Sequence, residues 1–291
     1  MKSIINTNPL IMEIRLAAEI ERNVLAALAE DIGSGDLTAL LIPAGHNSRG
    51  LVVTREDAVL CGSAWFDGCF QRLDPASRIT WHARDGERIK AGQTICEIEA
   101  ETRALLTAER TALNFLQLLS GTATTTRRFV DIVTGTGSKI VDTRKTLPGL
   151  RLAQKYAVKT GGGCNHRLGL YDGILIKENH IIAAGGVRPA LSQARKIANG
   201  NIFVQIEVET IDQLVEALDV GAAMVLLDNM TLEQMREAVV INAGRAELEV
   251  SGGVSLDRVR SIAETGVHRI SIGCLTKDVR AIDLSLRHVE R

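Results

Sequence analysis

Aromatic side chains are scarce in this chain: two Trp, two Tyr and five Phe make up 3% of its 291 residues. So few rings exclude a stacking platform for single-stranded nucleic acid. Excess charge of one sign is also missing. Thirty-four Lys and Arg stand against 35 Asp and Glu, a formal net charge of -1, whereas a general nucleic-acid binder carries a basic surplus. The five cysteines, Cys61, Cys69, Cys96, Cys164 and Cys274, are odd in number, scattered and without a C-x-x-C pair. Neither a zinc site nor a disulfide framework is expected of them, and they read as reduced cytoplasmic thiols. Cys164 and Cys274 read as small space-filling residues, with a nucleophile as the second choice. No apolar run of about 18 residues occurs, and the opening MKSIINTNPLIMEIRLAAEIERN is broken by Glu13, Arg15 and Glu19. The expectation is a soluble, cytoplasmic protein with no signal peptide and no membrane partner. A G-x-G-x-x-G fingerprint, a Ser-His-Asp order and a histidine-rich metal cluster are absent too.

The length leaves room for a large core and two domains. Residues 10–31 have helical periodicity, with Ile14, Ala17, Ala18, Val24, Leu25 and Leu28 on one face. The stretch Glu30 to Thr38 then reads as a turn whose acids cap the next segment, a metal or ligand site being the less favoured alternative. Short strands are expected at 50–55, 58–61, 78–82 and 94–98, separated by turns such as Asp85-Gly86 and Ala91-Gly92. The phrase DGERIKAGQTICEIEA is similar to the strands of lipoyl and biotin carriers, but Lys90 precedes its turn instead of occupying a hairpin tip. A structural, half-barrel-like sheet is the better reading. Residues 101–133 form an amphipathic helix, on which Arg110 reads as an exposed residue in a local ion pair.

From Gly137 onward the rhythm is strand, loop, helix. Strands are expected at 139–142, 173–176, 203–208, 223–227, 248–251 and 268–273, with one more short strand before His166. Helices are expected at 189–198, 211–218, 232–243 and 256–265. Near-continuous apolar strands alternating with helices mean a parallel sheet. Polar groups stand at the tip of almost every strand, which favours an α/β barrel over an open sheet that uses two or three tips.

Those tips carry the chemistry. The stretch KIVDTRKTLPGLRLAQKYAVKTGGGCNHRLGLYDGILIKENH gathers Arg144, Lys145, Arg167 and Lys177 on one rim, and such a cluster repels itself unless anions lie between its members. Arg144 and Arg167 suit carboxylates, as Arg110 does if it reaches them, because guanidinium binds these bidentately. Lys145 and Lys177 suit phosphate or pyrophosphate oxygens. His166 is either a donor to a substrate carboxylate or a satisfied core residue. Glu207 and Asp228 end consecutive strands and suit magnesium or sugar hydroxyls, or else neutralise neighbouring cations. Ser251-Gly252-Gly253 and Gly273-Cys274 end the last two strands, a recurrent place for phosphate. Together these residues imply a sugar-phosphate substrate and a second, carboxylate-bearing one.

The motifs AERTALNFLQLLSG, DTRKTLPGLR, KYAVKTGGGCNHRLGLYDGILIKENHI, QIEVET, LLDNM, EVSGGV and SIGCLTK together resemble the decarboxylating quinolinate phosphoribosyltransferases, from about Glu30 to the C-terminus. The resemblance implies an α/β fold: an incomplete, seven-stranded α/β barrel over residues 122–277 and an N-terminal α/β sandwich over 1–121, joined by the tail 278–291. It implies quinolinate and phosphoribosyl pyrophosphate as substrates in NAD biosynthesis, Mg2+ as cofactor, and a homodimer in which Arg110 crosses the interface, against its reading as a plain surface residue. It further implies that Thr143, Arg144, Lys145, His166, Arg167 and Lys177 contact substrate. Glu207 and Asp228 then serve ribose and metal, and Ser251, Gly252, Gly253 and Gly273 serve phosphate. A nicotinate-type or molybdate-associated relative with the same barrel, and a non-catalytic anion-binding protein, are the competing expectations.

Overall fold

The computed structural model describes residues 9–200 and 202–289, with side chains from Arg15 on, so the expected core position of Ile14 lies outside the described side chains. Two compact units divide the chain. One comprises Arg128–Lys145 and Gly163–Cys274; the other comprises 9–127, Thr146–Gly162 and 275–289. The expected boundary between 121 and 122 therefore falls inside a continuous helix, and the amphipathic stretch after Lys145 packs with the second unit.

The second unit opens with α1 (Pro9–Ile32) and β1 (Asn47–Thr54), β2 (Ala58–Val59), α2 (Ser63–Leu73), β3 (Arg78–Trp81), β4 (Arg88–Ile89) and β5 (Thr94–Glu101), followed by the long α3 (Thr102–Ile132). The turn at 33–38 ends with Asp36 accepting from the backbone N–H groups of Thr38 and Ala39, which is capping geometry. Helix α2 lies where only strands and turns are expected. Its Trp65, Phe66, Cys69 and Phe70 are buried at helical spacing, and Asp85 accepts from the N–H groups of Gly62 and Ser63 at its start. Those side chains meet Val52, Ile95, Ile98, Leu105, Leu113 and Leu116 in one core. Each such burial contributes roughly 1.5–3 kcal/mol.

In the first unit, β6 (Lys139–Val141) is followed in the chain by α4 (Arg151–Thr160), which belongs to the second unit. Then come β7 (Gly173–Ile176), α5 (Glu178–Ala184), α6 (Val187–Ala198), β8 (Phe203–Val208), α7 (Ile211–Asp219), β9 (Met224–Asp228), α8 (Leu232–Asn242), β10 (Glu247–Ser251), α9 (Val259–Ala263) and β11 (Arg269–Ser271). The last elements are α10 (Cys274–Lys277) and β12 (Leu284–Val289), which pairs antiparallel with β1. The second unit's larger sheet has the order β12-β1-β5-β3.

The first unit's sheet is parallel, in the order β6-β11-β10-β9-β8-β7. The first strand pairs with the last, and the two edge strands are consecutive in the chain. The short strand expected before His166 is a single parallel bridge between Val141 and Cys164. Helix N-termini after β8 and β9 are capped by Thr210 and Thr231, whose hydroxyls accept from the N–H groups of Gln213 and Gln234. Helix α9 is shorter than the expected 256–265. Its approach is a turn in which the N–H groups of Arg258 and Val259 both donate to Ser255, and Gly266 at φ 95° follows.

Candidate active site

Parallel strands buried on both faces expose polar side chains mainly near where they stop, and every strand of this sheet has a candidate residue at or close to its C-terminal end. Thr143, Arg144 and Lys145 follow β6; Gly273 follows β11; Ser251 ends β10 with Gly252 and Gly253 after it. Asp228 ends β9, Glu207 is the fifth residue of the six in β8, and Lys177 follows β7. Because neighbouring strands lie roughly 4.8 Å apart, the sheet order sets these tips side by side. Arg110 belongs to the other unit, exposed on α3.

At one end of the row, a β-carbon built on Gly273 would stand 3.2 Å from Cδ of Lys145 and 3.9 Å from Oγ1 of Thr143. The Thr143 hydroxyl accepts from the Lys145 backbone N–H at 3.1 Å. Next to it, Ser251 is in register with Asp228, and the Asn229 N–H donates to the Ser251 carbonyl at 3.0 Å. Asn229 sits in the left-handed region at φ 54° and its amide donates to Asp228 Oδ2 at 2.8 Å. Gly252, at φ 103°, has no room for a side chain: a β-carbon would fall 2.1 Å from Asn229 Oδ1. The loop backbone at Gly252 thus comes close to the Asn229 amide, and only a glycine leaves room for it.

Lys177 Nζ lies 3.6 Å from Glu207 Oε2. Partial burial raises the Glu207 carboxyl above its ordinary value; Lys177 pulls it back, and the negative charge of Asp228 pushes it up again. Two carboxylates and an ammonium thus share one polar patch. Among the described residues no group of three or more His, Cys, Asp and Glu is placed to hold a metal. The patch fits a hard cation that keeps waters and substrate oxygens as its other ligands, as magnesium does.

The guanidinium groups form the third part. Arg167 is buried, its Nη1 donating to the Gly173 carbonyl at 3.0 Å. Burial lowers its pKa, and the positive charge of Arg144 lowers it further. Arg144 Nε is itself buried without a hydrogen-bond partner. Two like charges held together with an unsatisfied donor describe a socket for an anion. His166 stands behind them with its ring turned inward: Nδ1 accepts from the Arg167 N–H at 2.7 Å and Nε2 meets Gln205 Oε1 at 2.8 Å. Both ring nitrogens are therefore engaged by the protein.

Residues that the sequence reading leaves out complete the site. Asp142, fully buried, accepts from the His166 N–H and the Asn165 amide at 2.8 and 2.6 Å. Gln205, Glu249 and Arg269 are buried polar residues in β8, β10 and β11. Of the three, only Gln205 interrupts an apolar run, between Val204 and Ile206, and that interruption is the one signal the sequence carries. Lys90, weighed as a carrier lysine, is exposed and paired with Asp57 at 2.7 Å.

Known proteins are similar to this chain over most of its length. Residues 36–120 match the quinolinate phosphoribosyl transferase N-terminal domain and residues 122–287 the corresponding C-terminal domain. The chain is 43% identical to a nicotinate-nucleotide pyrophosphorylase [carboxylating] of Mycobacterium leprae, over 89% of this chain and 94% of that one. It is 40% identical to a probable nicotinate-nucleotide pyrophosphorylase [carboxylating] of Bacillus subtilis, over 88% and 89%. The solved nicotinate-nucleotide pyrophosphorylase of Francisella tularensis superposes with a TM-score of 0.89 at 44% identity, covering 94% of this chain and 97% of that one. Among the described residues no helix is long and apolar enough to cross a membrane.

Proposed function

The chain belongs to the quinolinate phosphoribosyltransferase family, and from that premise we propose how its own residues perform the reaction. The enzyme transfers a phosphoribosyl group from phosphoribosyl pyrophosphate to quinolinate. It releases pyrophosphate and CO2 and leaves nicotinate mononucleotide, a step of NAD biosynthesis; the carboxylating and decarboxylating names describe one reaction in opposite directions.

The observation that carries this assignment of residues is the Arg144–Arg167 pair with its unsatisfied buried donor. A pyridine dicarboxylate supplies two anions to such a pair, with bidentate geometry available at each guanidinium. Thr143 lies in the same contact segment. Lys145 and Lys177 hold the pyrophosphate as point charges and stabilise the charge that grows on it as the C1–O bond breaks. Ser251, Gly252, Gly253 and Gly273 offer backbone N–H groups to the 5-phosphate. Glu207 and Asp228 accept from the ribose hydroxyls and hold Mg2+, directly or through water. When bound, the ion neutralises pyrophosphate oxygens. The quinolinate nitrogen attacks C1 through an oxocarbenium-like transition state, so catalysis is positioning and electrostatics without a covalent enzyme intermediate. The N-ribosylated ring is then the electron sink into which the adjacent carboxylate loses CO2.

The sheet is read as the wall of an incomplete, seven-stranded barrel, with the Cys164 bridge as its shortest strand. The β1–β12 sheet and its helices are read as an α/β sandwich. A homodimer follows, in which the exposed Arg110 reaches the site of a second copy. The cytoplasmic assignment rests on the five free thiols.

The test is a coupled assay of pyrophosphate and CO2 release from quinolinate, with nicotinate as the competing acceptor and Mg2+ withheld in a parallel arm. Turnover of quinolinate dependent on Mg2+ is expected. Preference for nicotinate would overturn the dicarboxylate assignment, and binding of phosphoribosyl pyrophosphate without turnover would favour the anion-binding alternative.

A further inference from the structure

We propose that Gln205 is a positioning residue for the dicarboxylate subsite: it holds His166 as the neutral Nε2–H tautomer and so aims Arg167. The inference rests on reading Arg167 as a quinolinate contact. Nδ1 of His166 accepts from the Arg167 N–H at 2.7 Å, so the ring's proton must be on Nε2. Nε2 then donates to Gln205 Oε1 at 2.8 Å. A second acceptor stands in reserve, since Glu249 Oε1 is 3.7 Å from Nε2 and fully buried without a hydrogen-bond partner. Arg269 Nε holds the other oxygen of that carboxylate at 2.9 Å. The Nε2–H therefore faces a neutral amide at bonding distance and a carboxylate beyond it. A direct bond to the carboxylate would favour the imidazolium, and protonating Nδ1 would break its bond to Arg167. Gln205 keeps the two apart.

The same residues close a ring of contacts. His166 meets Phe203 edge-on at 5.5 Å between centroids. Phe203 occupies the space a β-carbon on Gly173 would need, with its ring carbons 2.5 Å from that position. The Gly173 carbonyl takes Arg167 Nη1 at 3.0 Å. Arg167 is thus held at its backbone by His166 and at its guanidinium by Gly173. Only the first hold depends on an exchangeable proton, and Gln205 controls it.

The experiment uses the full chain with 15N-labelled histidine. The His166 signals are assigned through His166→Asn, and Gln205→Met is compared with Gln205→Asn so that either folded variant decides the matter. Wild type is expected to show an unprotonated Nδ1 and a protonated Nε2. In either variant the two signals should shift toward each other, and the KM for quinolinate should rise tenfold or more. The KM for phosphoribosyl pyrophosphate and kcat should stay within threefold. An unchanged His166 pattern overturns the proposal, as does an equal loss against both substrates. If wild type does not turn over quinolinate, the assignment of the subsite fails instead, and the nitrogen signals alone judge the hold of Gln205 on His166.

Discussion

Gly273 lies directly against the side chain of Lys145, close enough that a β-carbon on the glycine would stand 3.2 Å from Cδ and 3.9 Å from Nζ. The two residues come from the ends of paired strands, β11 and β6. Gly273→Ala is therefore expected to displace the ammonium with little disturbance of the core. The lysine's electrostatic contribution falls as it moves, so kcat/KM should drop roughly 10- to 100-fold, about 1.4–2.7 kcal/mol of barrier. The midpoint of thermal unfolding should change by only a few degrees. Wild-type turnover in this variant would mean that Lys145 does not act from the position seen here.

Arg144→Ala removes one of the two adjacent guanidiniums and leaves the other buried. The KM for quinolinate should rise by about two orders of magnitude, in line with the loss of a bidentate charged contact. Arg144→Lys should recover little, because an ammonium cannot reproduce the planar fork. Steady-state kinetics with quinolinate varied at saturating phosphoribosyl pyrophosphate decide this, and near-normal activity would refute the assignment.

Much of this site is readable from residues alone because parallel strands leave only their tips polar. Arg144, Lys145, Lys177, Glu207 and Asp228 each break an apolar run at its end, and the break is visible without coordinates. Interior polar residues are harder. Gln205 breaks an apolar run, Glu249 alternates with Glu247 and Ser251, and Arg269 opens its strand, and none of these patterns gives a hint of the partner across the sheet. Helix α2 was illegible for another reason: its apolar residues are bunched as Trp65-Phe66 and Cys69-Phe70, between segments with strand periodicity. The break in the helical stretch after Ser255 depends on local turn bonds that periodicity over 256–265 does not reveal.

Arg269 and Glu249 make a buried ion pair, 5% and 0% exposed, with Nε and Oε2 2.9 Å apart. Glu247 adds a second carboxylate 3.6 Å from Nη1. Arg269→Met leaves Glu249 buried without its counter-charge, which should cost on the order of 3–5 kcal/mol. Arg269→Met with Glu249→Met should recover most of that loss, since an apolar pair of similar volume needs no compensation. Urea denaturation of the two variants and wild type measures both numbers. A double variant as unstable as the single one would rule out charge burial as the cause.

Asp67 gives the protein a pH-dependent weakness away from the site. Burial pushes its carboxyl up to about 6 from an ordinary 3.8; the Trp81 Nε1–H that it accepts opposes the shift, and Asp85 adds to it. Between those two values the folded chain holds a proton that the unfolded chain has lost. Stability at this position is thus intact below 3.8 and falls as pH rises through about 6. Asp67→Asn keeps an oxygen acceptor for Trp81 and removes the charge. It should match wild type at about pH 4 and exceed it at about pH 7.5 by on the order of 1 kcal/mol, once solvent screening of this half-buried group is allowed for. Urea unfolding at the two pH values checks the sign. A gap that stays constant, or that widens toward acid, would show that the carboxylate is not ionised at a cost in the folded protein.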